Sequence, residues 1–287
     1  MLASIITGRA LAVGLLLAAA LTGLSMPVRG AEVTPKYLFI PATVDYREYN
    51  LEAVIYRPAG QGPFPLVVIN HGRNATEEER KSPNLVLAYG REALAIAKKG
   101  FVVVTPVRRG YGKSEGTDRE NDFHGAGGEG SKDVAAVVRY MARKSYVDGG
   151  QVIVVGQSCG GLVSLAAAGS KDIPGLLGVV NFSGGLVGLQ LSTGDNQARL
   201  AALYGIYGFL ARAPSLWVYA ENDTKLAPEI AYLGYNCFVR NGGKATMHML
   251  PPFGEDGHYL FGGGQGIPLW MPLFEEFLDS LGVPYGR

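Results

Sequence analysis

Cysteine is scarce in this sequence: Cys159 and Cys237 are the only two in 287 residues. One pair does not define a scaffold, so a small disulfide-stapled fold is excluded. Charge is equally restrained. The net charge is +1 and no run of Lys or Arg exceeds two residues, so the footprint of a nucleic-acid or acidic-polymer partner is missing. There is no period of 20–50 residues and no low-complexity tract, which excludes repeat and solenoid architectures. Beyond residue 30 no apolar run approaches the ~20 residues of a membrane-spanning helix.

The first thirty residues do stand out. Arg9 precedes an uncharged apolar run from Leu11 to Leu24, and small residues follow near Gly30. A positive start, a short apolar core and a small-residue cut are the marks of a secretory signal peptide. The alternative is a permanent N-terminal anchor, for which the run is short. Residues 1–30 are therefore read as a signal peptide and residues 31–287 as one domain, exported to a periplasm or secreted. After cleavage no stable membrane insertion is expected, and the oligomeric state is left open.

Within that domain the apolar runs alternate in kind. Short β-rich runs cover residues 51–56, 66–70, 101–105, 152–155, 177–182 and 216–220, with another near 246–250. Segments of helical spacing lie between them at 83–98, 130–143, 162–168, 228–240 and 269–281. Short apolar strands separated by helices predict an α/β fold, with a mostly parallel sheet covered on both faces. In such sheets ligands bind beyond the carboxyl ends of the strands. The polar residues directly after each strand are therefore the ones to weigh.

After the run VIVV stands Gly156-Gln157-Ser158-Cys159-Gly160-Gly161, followed by an apolar helical stretch. Glycines on both sides let the chain turn from strand to helix with the serine hydroxyl exposed. Serine is a poor nucleophile until a base, itself oriented by a third group, takes its proton. Of the four histidines, His258 lies in a loop after the last strand. His248 sits inside the strand pattern, and His124 is read as an unremarkable loop residue. Asp223 follows the strand at 216–220, with Glu221 as its local competitor. The order Ser158, Asp223, His258 differs from that of the two other familiar serine triads. The N–H of Cys159 and that of Arg73, in Asn70-His71-Gly72-Arg73-Asn74, are candidate donors to an oxyanion. His71 is read as structural to that loop, and the Arg73 side chain as solvated or turned to a substrate carboxylate.

These residues resemble the α/β-hydrolase superfamily, closest to its dienelactone-hydrolase-like group and the related esterase and acyl-peptidase branches. GQSCGG, HGRN, RGYGKSEG at 109–116 and the loops of Asp223 and His258 carry the resemblance, which covers roughly residues 51–281. It implies an eight-stranded sheet with a small cap or none. Ser158, Asp223 and His258 match the family triad, and Arg73 and Cys159 its oxyanion positions. The loop with Tyr111 would lie near the site mouth. Dienelactone hydrolases proper carry cysteine at the elbow where this chain has serine, which favours an ester or other acyl bond over a dienelactone.

The expected chemistry is acyl transfer to water, with no metal and no organic cofactor, on a small-molecule or acyl substrate. Peptidase, amidase and acyltransferase activity use the same triad and stay open, as does a catalytically silent binding protein on this fold. His71, Tyr111, Tyr204 and Tyr207 are candidate substrate contacts. The segment 186–213 is long enough for one or two lid helices, in which Tyr204, Tyr207 and Phe209 line an acyl pocket or serve as plain helix packing.

Overall fold

The structure, a computed structural model, describes residues 32–74, 76–118, 123–186 and 194–286. The expected signal peptide lies outside the described residues. A hairpin opens the fold: β1 (Val33–Val44) and β2 (Arg47–Pro58) pair antiparallel across a two-residue turn. Asp45 and Tyr46 at that turn both have positive φ, 48° and 63°, as a tight hairpin matching the strand twist requires. Then follow β3 (Phe64–Asn70), β4 (Val102–Pro106), β5 (Val147–Gln157), β6 (Leu176–Phe182), β7 (Ser215–Ala220) and β8 (Ala245–Leu250). The sheet order is β1-β2-β4-β3-β5-β6-β7-β8, with β2 antiparallel to β4 and every pairing from β4 to β8 parallel.

The parallel strands β3 to β7 are largely apolar on both faces, and alternate residues feed two separate cores. Val68, Val104, Val154, Val179 and Trp217 pack against one layer of helices, which holds α3 (Phe123–Met141), α4 (Cys159–Ala167), α5 (Gly194–Leu210) and α6 (Pro228–Arg240). Val67, Val103, Ile153, Val180 and Val218 face the other layer, with α2 (Gly90–Lys98) and α7 (Ile267–Leu281). This period-two division is why the strand runs read as continuously hydrophobic. A single turn of helix, α1 (Glu77–Arg80), lies in the loop after β3. Because β3 to β8 run parallel, the loops that follow them emerge on one rim of the sheet.

The seven predicted strands and the doubly covered sheet are present, and the structure corrects four finer expectations. β1 is absent from the predicted runs, and Pro35 and Pro41 interrupt it. It is tolerated as an edge strand, with Ile40, Ala42 and Val44 buried and their neighbours out. The helical segment at 83–98 divides into a 3₁₀ turn (Leu85–Leu87) and α2. His124 belongs to α3, which starts well before residue 130. The glycines that suggested a loop there serve close packing instead: a Cβ on Gly127 would strike the Tyr207 ring, and one on Gly130 would strike Val163. Finally, the described part of segment 186–213 holds a single helix, α5, which packs on α6 as the β6–β7 crossover rather than as a lid. No described helix is long and apolar enough to cross a membrane.

Candidate active site

Four loop segments at the rim converge. Ser158 stands between β5 and α4 with φ 58° and ψ −125°, a conformation that costs a non-glycine residue energy and persists only where the surroundings enforce it. The surroundings leave no room to relax. A Cβ on Gly156 would land on the Gly160 carbonyl, and one on Gly160 would land on the carbonyls of Asn70 and His71. The Ser158 N–H donates to the Phe182 carbonyl at 3.0 Å, and the Ser158 carbonyl accepts from Gly161, Leu162 and Gly185. The adjoining Cys159 side chain points into the core, fully buried, and no disulfide joins it to Cys237.

His258 lies in a short 3₁₀ turn whose N-cap is Asp256. Its Nδ1 is 3.1 Å from each carboxylate oxygen of Asp223, and both residues are buried. Asp223 Oδ1 also accepts the N–H groups of Lys225 and Leu226 at 2.9 and 2.8 Å. Glu221 is exposed, whereas Asp223 and His258 are buried. The geometry thus brings Asp223, not Glu221, to the histidine.

The two loops are latched by residues that the sequence did not single out. Asp256 accepts from Thr224 Oγ1 at 2.6 Å, from the Thr224 N–H at 3.1 Å and from the His258 N–H at 2.9 Å. Partial burial raises the Asp256 carboxyl, and these hydrogen bonds outweigh it, holding the group below its ordinary value. Asn222 adds a second latch: its side chain bonds the Phe253 N–H and the carbonyls of Phe253 and Gly254. Asn, Asp and Thr around a strand end were a usable signal, since such side chains bond nearby backbone.

Tyr89 and Gln157 connect three loops. The Gly72 N–H donates to the Tyr89 hydroxyl at 3.2 Å, which donates to Gln157 Oε1 at 2.9 Å, and Gln157 Nε2 donates to the His258 carbonyl at 2.8 Å. Burial pushes the Tyr89 phenol up to about 12, so it remains a donor. Nothing local in sequence announces this chain, because its partners are 17, 68 and 101 positions apart.

Ser158, His258, His71, Gly72, Arg73 and Tyr89 line a cleft of about 730 Å³, against about 440 and 430 Å³ for two cavities elsewhere. Leu85, Ala88 and Phe261 supply apolar wall. At the mouth Lys225 Nζ bonds the Tyr259 hydroxyl at 2.7 Å, and Glu79 caps the Thr76 N–H at 3.1 Å. His71 touches the cleft, but both its ring nitrogens are occupied: Nδ1 lies 2.7 Å from the Gly72 carbonyl and Nε2 accepts the Arg108 N–H at 3.0 Å. These two contacts tie its ring to the Gly72 carbonyl and to the Arg108 backbone.

Three expected substrate contacts are corrected. Tyr111 is fully buried against His71, ring centroids 4.9 Å apart. Tyr204 packs on Trp217 and donates to the Gly184 carbonyl. Tyr207 is buried beside Gly127. None of the three is among the described residues lining the cleft. The spacing of Tyr204 and Tyr207 on α5 marks the helix face that meets the core, where burial of the aromatic rings outweighs display of the hydroxyls. The 109–116 loop is likewise pinned inward: buried Glu52 accepts from the Lys113 N–H, and Arg109 pairs with Asp133 and Glu129. No cluster of His, Cys, Asp and Glu suited to a metal occurs among the described residues.

The sequence profile of the X-Pro dipeptidyl-peptidase (S15) family matches residues 49–189. No curated protein is similar to the chain in sequence. Several solved structures share its fold. A protein of Klebsiella pneumoniae assigned as a dienelactone hydrolase superposes with a TM-score of 0.58 at 14% identity, over 87% of this chain and 99% of that one. An acetyl xylan esterase of Thermoanaerobacterium gives 0.57 at 19%, over 90% and 86%. A puromycin-hydrolysing peptidase of Mycobacterium tuberculosis gives 0.62 at 15%, with 90% of this chain covering 41% of that one.

Proposed function

We propose that this chain, which belongs to the α/β-hydrolase superfamily, is a serine hydrolase that cleaves a carboxylic ester through an acyl-enzyme. The observation that carries the reading is His258, its Nδ1 3.1 Å from the buried Asp223 carboxylate, lining one cleft with a serine at φ 58°. Asp223 holds the proton on Nδ1 and leaves Nε2 free to take the Ser158 proton. The hydroxyl attacks the ester carbonyl, and the N–H groups of Cys159 and Arg73 receive the developing oxyanion. The imidazolium protonates the departing alcohol. Water then repeats the sequence on the acyl group.

A peptidase reading draws on the S15 profile and on peptidases among the structural neighbours. Two features of the cleft favour the ester. Cleaving dipeptides from an N-terminus calls for a carboxylate to hold the substrate ammonium. Glu79 is the one acidic side chain among the described residues lining the cleft, and it is engaged in its own helix cap. Arg73 and Lys225 give the mouth a cationic cast instead. Turnover of p-nitrophenyl acetate and butyrate, set against Gly-Pro p-nitroanilide, decides between the two. Faster hydrolysis of the anilide would overturn the ester assignment while keeping the triad. We also propose export, on the Leu11–Leu24 run behind Arg9. Protein from its native host should begin near residue 31 by intact mass, and an uncleaved cytosolic form would refute this.

A further inference from the structure

The proposed chemistry requires the Arg73 N–H to face the Ser158 cleft, yet residues 71–74 have no regular secondary structure to aim it. A buried arginine supplies the missing constraint. Arg108, 2% exposed, follows β4 and reaches under the loop. Its Nη1 donates to the His71 carbonyl at 2.5 Å and its Nη2 approaches the Gly72 carbonyl at 3.5 Å. Its own N–H donates to His71 Nε2 at 3.0 Å, which leaves the proton of that ring on Nδ1, directed at the Gly72 carbonyl 2.7 Å away. The Gly72 carbonyl is thus drawn toward His71 and Arg108.

In a trans peptide the C=O and the following N–H point in opposite directions. Drawing the Gly72 carbonyl inward therefore turns the Arg73 N–H outward, away from Arg108. The preceding amide cannot compete for the same place, since the Gly72 N–H is taken by Tyr89. The guanidinium also carries a full charge against the carbonyl end of that peptide. This polarises the unit and makes its N–H a stronger donor to an oxyanion in a water-poor site. Arg108 is not among the described residues lining the cleft, and its stem is packed, with Cδ 3.2 Å from where a Cβ on Gly130 would sit.

We propose that Arg108 is a positioning residue of the reaction, aiming and polarising the Gly72–Arg73 peptide as oxyanion donor. The proposal rests on the serine-hydrolase reading. The test compares wild type with Arg108→Met and Arg108→Lys in p-nitrophenyl acetate turnover and in inhibition by an alkyl trifluoromethyl ketone, which binds as the oxyanion adduct. Loss of one oxyanion donor elsewhere costs about 10²–10³ in kcat. Arg108→Met should therefore lose about 10² in kcat with KM within about threefold, and its affinity for the ketone should fall in step with kcat/KM. Arg108→Lys keeps the charge but cannot span both carbonyls, and should recover about tenfold of that loss. A folded Arg108→Met with kcat within threefold of wild type would overturn the proposal, as would a kcat loss with unchanged ketone affinity. Should the Met variant not fold, wild-type kcat in Arg108→Lys overturns it equally. Fluorophosphonate labelling of wild type separates the two claims. A labelled Ser158 with indifferent Arg108 variants sinks this proposal alone, and an unlabelled wild type removes the hydrolase reading and this proposal with it.

Discussion

Replacing Asp223 with Asn changes one atom of a carboxylate whose partners are Lys225, Leu226 and His258, so its cost can be worked through. Asn retains an oxygen at Oδ1 and can keep the N–H groups of Lys225 and Leu226, the bonds that shape the turn. What changes is the other position, where an NH₂ would meet His258 Nδ1 at about the 3.1 Å now spanned by Oδ2. Two donors cannot share that contact. The ring responds by moving its proton to Nε2 and accepting at Nδ1, which leaves no base facing Ser158. In a serine triad this tautomer change lowers kcat about 10⁴-fold with geometry intact. We expect 10³–10⁴ here, roughly 4–5.5 kcal/mol of barrier at about 1.36 kcal/mol per decade. Stability should suffer far less. One charge-assisted hydrogen bond contributes about 1.5–3 kcal/mol, part of which the new N–H···Nδ1 bond restores. Steady-state turnover of p-nitrophenyl acetate and a thermal melt measure both. Glu221→Gln is the control: that side chain is exposed, so its kcat should stay within about tenfold, or 1.4 kcal/mol. Near-native turnover in Asp223→Asn, or the loss appearing in Glu221→Gln instead, would refute the reasoning.

Two further predictions follow from the same loops. Cys159→Ala preserves the backbone N–H and removes only a thiol buried in the core, so kcat should stay within about threefold while Tm falls by a few degrees. Losses in kcat as deep as those of Ser158→Ala would mean that the thiol is the reacting group. Asp256 has a depressed folded-state pKa, so its latch contributes stability above the unfolded value near 3.9 and loses it as pH falls through the lower folded value. Between about pH 5 and pH 3 the Tm of wild type should therefore drop more steeply than that of Asp256→Asn. Parallel curves would show that the latch carries no charge-dependent stability.

The parts of the site legible in the sequence are those fixed by local backbone geometry. Ser158 announces itself because only glycine fits at positions 156 and 160, where neighbouring carbonyls occupy the space of a Cβ. Asp223 and His258 announce themselves because each lies in the loop that follows a strand of the parallel sheet, after β7 and β8. What stayed hidden depends on partners distant in the chain. Arg108 meets His71 across 37 positions and Tyr89 meets Gln157 across 68, and neither pair leaves a periodic trace. Tyr204 and Tyr207 show the converse. Their spacing places them on one face of a helix, but whether that face meets a cleft or a core is a tertiary fact. Trp217 and Gly127 decide it for the core. The hairpin strand β1 escaped because Pro35 and Pro41 mask its alternation, and only its edge position makes both tolerable.

The central claim is that Ser158 is the nucleophile, and labelling tests it most directly. Wild-type protein treated with a fluorophosphonate and digested should carry the whole adduct mass on the peptide containing Gly156-Gln157-Ser158. Ser158→Ala should fold, take up no label and lose about 10⁶ in kcat if this triad behaves like those measured in serine proteases. An adduct on another residue, or a folded Ser158→Ala that still turns over ester at near the native rate, would contradict the account.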